Sequence, residues 1–174
     1  MDREALKELI RQAFANVERP GNWALRGGNE GDEPFLVEQE FSDKSDWRAL
    51  DPAFLEQAPS GYSSALSFFS DEAFRYFLPA YLIADLDGAL DRADPLFHLT
   101  HGLSDAVRNT KLNERRFGDR TWFDARQHQF SVFSAWEAKA IVEYLRYKLD
   151  VVEFNREEIT GALSNYWLAR AGLA

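Results

Sequence analysis

His98 and His101 form an H-x-x-H pair. Side chains three apart on a helix share a face, so two imidazoles at that spacing suit one divalent metal. Asp94, Asp105 and His128 are the further groups that would complete a ligand shell. A metal held this way activates water for hydrolysis. The pattern departs from H-E-x-x-H, however, because no Glu follows His98. Pro95 and Gly102 also bracket the pair too closely for a long helix. A metal-dependent hydrolase or small-ligand-binding domain is therefore the alternative expectation.

A second constellation lies in "DEAFRYFLPAYL", Asp71 to Leu82. Arg75 interrupts an otherwise apolar stretch, and a guanidinium there must be paired or reach water. Pro79 has no N–H to offer the Arg75 carbonyl. Arg75, Tyr76 and Tyr81 are thus candidates for a polar spot within aromatic surroundings. The plainer expectation is that Arg75 pairs with a carboxylate such as Asp71 or Glu72 while the tyrosines pack.

The third candidate is a surface. Residues 29–46 carry Glu30, Asp32, Glu33, Glu38, Glu40, Asp43 and Asp46 against Lys44 alone. Phe35, Leu36 and Phe41 are interspersed. Apolar anchors within an acidic rim suit a basic protein partner, and Phe35, Glu38, Glu40 and Phe41 are the expected contacts. The competing expectation is that Phe35 and Phe41 anchor the segment to the protein's own core. A basic run, Arg108, Lys111, Arg115, Arg116 and Arg120, is expected to face solvent or to meet residues 29–46. Asp85, Asp87, Asp91 and Asp94 begin like a calcium loop, but the glycine comes too early and no Glu closes it.

Composition narrows the choice. The chain has 174 residues and a net charge of −9. Residues 1–97 hold 19 acidic and 9 basic side chains, so the charge is concentrated there. Such a field repels phosphate backbones and speaks against nucleic acid as a partner. There is no cysteine, which excludes disulfides, a thiol nucleophile and thiolate metal ligation. No phosphate loop, dinucleotide glycine pattern or nucleophile elbow occurs, so no cofactor is expected. The first residues, Met1-Asp2-Arg3-Glu4, lack the apolar core of a secretory signal. The longest nearly apolar stretch, Phe74 to Ala84, falls short of the roughly 20 residues of a membrane span. A cytoplasmic protein without a membrane partner is expected.

The elements that must position these groups read as helices. Leu6, Leu9, Ile10, Ala13, Phe14 and Val17 recur at helical spacing over about residues 3–17, with Asp2 as the cap. Pro20-Gly21 ends that helix, and Gly27-Gly28 with Gly31 marks a loop. Helix starts are expected near Pro34 and at Asp51-Pro52, followed by a break at Pro59-Ser60-Gly61. Ser70 caps a central helix that is apolar nearly all round and kinked at Pro79. Residues 95–133 fit short helices or a small strand pair. Ser134 with Glu137 matches a capping box, and Asn155 with Glu158 suggests a cap for the last helix, weakened slightly by Gly161. The expected fold is all-α, a compact bundle-like single domain over 1–174. Its 5 Trp, 6 Tyr and 14 Phe promise an aromatic-rich core.

The segment "ALSFFSDEAFRYFLPAYL", Ala65 to Leu82, resembles an uncharacterised bacterial family of unknown function. That family carries an L-S-F-L-S-x-E-A-F-R-Y-Y-L-P-A-Y-L segment. "DWRALDPAFLEQ", Asp46 to Gln57, is also similar to it. The resemblance implies a shared fold and brings no activity with it. Taken together, the residues lead to a non-enzymatic cytoplasmic protein-binding module, with an antitoxin-like or immunity-like role as one concrete form.

Overall fold

Asp2 opens the first helix by accepting the Ala5 N–H at 2.9 Å, and the same device recurs along the chain. The computed structural model describes residues 1–57 and 65–174; the break expected at Pro59-Ser60-Gly61 lies outside them. In order, the helices are α1 (Arg3–Ala13), α2 (Glu33–Phe41), α3 (Pro52–Gln57), α4 (Asp71–Leu86) and α5 (Pro95–Thr100). There follow α6 (Glu114–Phe117), α7 (Trp122–Phe130), α8 (Ala135–Val151), α9 (Arg156–Ala162) and α10 (Leu168–Arg170). A π-helical turn, Leu163–Trp167, joins α9 to α10. The fold is helical. Among the described residues the only β pairing is two isolated bridges, Arg26 with Phe69 and Lys111 with Thr121. The stretch 95–133 therefore resolves into short helices rather than a strand pair. No helix among the described residues is long and apolar enough to cross a membrane.

The chain condenses into two compact units, one of Lys7–His98 and one of Met1–Leu6 with Leu99–Ala174. In the first, Ser70 accepts the Ala73 N–H at 3.1 Å and Asp51 accepts the Ala53 N–H at 2.7 Å, as their places before α4 and α3 predict. Helix α4 runs through the core, with Phe74, Phe77, Leu78, Tyr81 and Leu82 buried, and it continues through Pro79. Phe41 of α2 meets Phe54, Phe69 and Phe77 with ring centroids 4.8–5.0 Å apart. Rings in tilted and edge-on contact gain beyond their buried area. The loop before α2 is tied down by the Gly27 N–H to the Phe68 carbonyl and the Ser70 N–H to the Leu25 carbonyl. A Cβ on Gly27 would lie 2.4 Å from the Phe69 carbonyl oxygen, so this glycine permits a close backbone approach as well as a turn.

In the second unit Ser134 and Glu137 form a reciprocal capping box at the start of α8, as expected. Thr121 and Asp124 form another at α7. Phe130, Phe133, Tyr166 and Trp167 make the aromatic centre, with Phe130 and Trp167 centroids at 4.8 Å. The Trp167 indole N–H donates to the Leu99 carbonyl at 2.8 Å. Two expectations are corrected. The first helix ends at Ala13, with residues 14–16 in a turn, so Val17 is not helical. Asn155 occupies the cap position of α9 but makes no capping hydrogen bond. Its φ of 61° places it in the left-handed region, which Asn tolerates, and there its side chain does not reach the first turn. Gly161 is explained by packing more than by propensity: a Cβ there would stand 2.7 Å from the Ser104 Cα.

Candidate functional site

The acidic segment folds around α2, and its apolar residues divide. Phe41 is wholly buried, whereas Phe35 stays 47% exposed and Leu36 faces solvent too. The Phe35 ring lies under the Arg26 guanidinium, 4.5 Å from the centroid. Arg26 also forms an ion pair with Glu38. Glu38 is thus ion-paired within the chain while remaining part-exposed. The 3₁₀ turn Asn22–Ala24 packs against α2, and its Trp23 is 87% exposed. Trp23 was not legible as a site residue. It is a lone aromatic between Pro20-Gly21 and Gly27-Gly28, without a periodic partner, and that isolation was the available signal.

Glu40 stands in the last turn of α2, half-buried, with its Oε2 shielded from solvent and no hydrogen-bond partner. Burial raises its carboxyl above the ordinary value of 4.5. It lines a cleft of about 640 Å³ together with Leu36, Asp43, Lys44 and Phe54. Lys44 pairs with Asp43 at 2.7 Å and stands 4.8 Å from the Phe54 centroid. Tyr81 of α4 is fully buried and its hydroxyl also lacks a partner. Burial raises the phenol strongly, and the carboxylates of Glu40 and Glu56 add to the shift. Glu56 is engaged differently. Burial opposes its ionisation, but the N–H groups of Ala93, Asp91 and Arg92 outweigh this and lower its pKa. Two of those bonds measure 2.7 Å.

The other candidate residues each have contacts of their own. Tyr76, on the same helix as Tyr81, donates to the Ser45 carbonyl at 2.7 Å. Arg75 is half-buried on α4. His98 lies 3.4 Å from the Ser67 hydroxyl in the first unit. His101, in the second, packs edge-on against Trp122. Burial lowers the His101 pKa and the Arg126 charge adds to that. Arg126 is itself pushed down to about 10 by burial, and it donates to the His101 carbonyl at 3.0 Å. Asp94 is occupied by the Phe97 N–H and Asp105 by the Asn165 amide. Among the described residues, no group of three or more His, Asp and Glu side chains is placed to hold a metal ion. The basic run is solvent-exposed over residues 113–120, and Lys111 pairs locally with Asp119 and Glu114.

The first unit thus carries exposed aromatic side chains, Trp23 and Phe35, beside an acidic helix and a cleft. No curated protein and no solved structure matches the chain. The model of a family of unknown function, DUF6714, matches residues 2–171, and the chain belongs to that family.

Proposed function

We propose that this is a non-enzymatic protein-binding module that takes a basic protein partner on the face made by α2 and the turn before it. The observation that carries this is Trp23, left 87% exposed on a turn packed against an acidic helix. Burying an indole releases much apolar area, so a Trp held in water is a cost that a partner removes. Trp is also among the residues that dominate binding energy at protein interfaces. Phe35 and Leu36 extend the apolar surface, and the charges of Glu30, Asp32 and Glu33 steer a basic partner toward it. The cytoplasm is the compartment that fits the chain's lack of cysteine. An immunity-like or antitoxin-like role, in which an acidic protein masks a basic toxic one, is one form of this function.

Capture from native lysate at low and moderate salt, with wild type beside Trp23→Ala, tests the proposal. The expected result is a stoichiometric basic protein whose recovery falls with salt and drops about tenfold or more in the variant, in line with truncation of an interface aromatic. A partner retained equally by Trp23→Ala, or no stoichiometric partner at either salt, contradicts it.

A further inference from the structure

Ala80, Ile83, Ala84 and Asp87 recur at helical spacing along α4 and its C-cap, and so share a face. Two alanines on that face leave space that larger side chains would fill. Opposite stand Trp47 and Leu50, from the 3₁₀ turn Trp47–Ala49 and the residue after it, and Pro52 of α3. Between these apolar walls lies a hollow of about 170 Å³, which Arg11 and Arg48 also line. All these residues belong to the first unit, Lys7–His98. The Arg48 guanidinium lies 4.7 Å from the ring centroid of the buried Trp47. It also donates to Asp46 at 3.0 Å and to the Ala15 carbonyl at 2.9 Å. A guanidinium has five N–H donors, so these bonds leave others over. Arg11 stands in the last turn of α1, exposed, 3.6 Å from Glu8. An exposed pair of this kind holds weakly and is readily exchanged. Asp87, the carboxylate in the lining, is bound to Lys7 at 2.7 Å, which offsets its charge.

We propose that this hollow binds a small aryl carboxylate, with its ring between Trp47 and the Ala80–Ala84 face of α4 and its carboxylate on Arg48 and Arg11. The site shares no residue with the surface proposed for the protein partner, and it stands or falls independently of that partner. The volume selects a ring-sized body, since an apolar cavity of about 150 Å³ accommodates benzene. A ring against Trp47 gains from aromatic contact as well as from buried area. The rim selects the charge. A guanidinium's planar fork matches a carboxylate, whereas an ammonium ligand would meet two like charges. Arg48 is already fixed by Asp46, Ala15 and Trp47, so little ordering is left to oppose binding.

The test follows amide and indole N–H chemical shifts of the full chain at fixed ionic strength, with phenylacetate, phenylacetamide and acetate as probes. Phenylacetate should saturate in the millimolar range and shift the amides of Arg48, Ala80, Ile83 and Ala84 and the indole N–H of Trp47. Phenylacetamide keeps the ring and loses the charge, so it should bind about tenfold more weakly. Acetate keeps the charge and loses the ring, so it should also bind more weakly than phenylacetate. Arg48→Gln should weaken phenylacetate by about tenfold and leave phenylacetamide little changed. Equal binding of phenylacetate and phenylacetamide, acetate bound as tightly as phenylacetate, absence of saturation, shifts confined to other residues, or wild-type affinity in Arg48→Gln overturns the assignment. The comparison among probes needs no variant, so it decides the matter even if Arg48→Gln does not fold.

Discussion

The hydroxyl of Tyr81 lies in the field of the Glu40 carboxylate, and neither that hydroxyl nor the buried Glu40 Oε2 has a hydrogen-bond partner. They are 41 positions apart in the chain, on α4 and α2, and packing alone brings them within reach of each other's charge. Unsatisfied buried atoms of this kind cost stability.

Removing the orphaned hydroxyl should therefore not harm the fold. Tyr81→Phe keeps the ring and its packing, and the unfolding free energy from urea titration should stay level or rise by up to about 1 kcal/mol. A loss of 1 kcal/mol or more, on the order of a broken hydrogen bond, would show that the hydroxyl is paired after all.

Glu40 and Glu56 should give opposite pH signatures. Because burial raises Glu40's folded pKa, its contribution is fully favourable below 4.5 and is lost as pH rises through the raised value. Glu40→Gln should accordingly gain stability over wild type on moving from acid to neutral pH. Glu56's folded pKa is lowered, so its contribution is present above 4.5 and is lost as pH falls through the lowered value. Glu56→Ala, which strips three N–H groups of a charged acceptor, should cost about 1–3 kcal/mol at neutral pH and progressively less in acid. Thermal melts of the two variants between acid and neutral pH check both signs.

Gly27→Ala and Gly161→Ala should each destabilise by about 1–3 kcal/mol, because the added methyl meets backbone rather than a flexible side chain. At Gly161 this runs against helix propensity, which favours Ala. A denaturation midpoint that rises in Gly161→Ala would mean that the Ser104 backbone yields easily.

Local signals in the chain translated well into structure. Ser70, Asp51-Pro52 and the Ser134–Glu137 pair each announced a helix start, because a cap is a contact between near neighbours. The box at Thr121 and Asp124 was equally local, but α7 is amphipathically weak and its apolar residues come in short runs. Asn155 failed because cap chemistry presupposes an extended backbone, and the left-handed φ is not written in residue type. For the site, the acidic character of residues 29–46 was legible and the division of labour within it was not. Phe35 and Phe41 look alike in sequence, yet one stacks under Arg26 and the other meets three rings. The pairing of Glu38 with Arg26 and the link between Glu40 and Tyr81 depend on contacts 12 and 41 positions apart.

Neutralising the rim should change the rate of encounter more than the strength of the grip. Asp32→Asn with Glu33→Gln should slow association with the natural partner and flatten its salt dependence, with dissociation little altered. The fold should hold, since exposed charges contribute little to stability. An association rate that keeps its full salt dependence would place the steering charges elsewhere.

The most direct measurement is the dissociation rate of the natural partner from wild type and from Trp23→Ala with Phe35→Ala, at fixed salt, with the fold of the variant checked by its melt. Binding through the α2 face predicts an unchanged melt and dissociation at least about tenfold faster, because these two rings are the exposed anchors. A well-folded double variant that releases its partner at the wild-type rate would contradict the account.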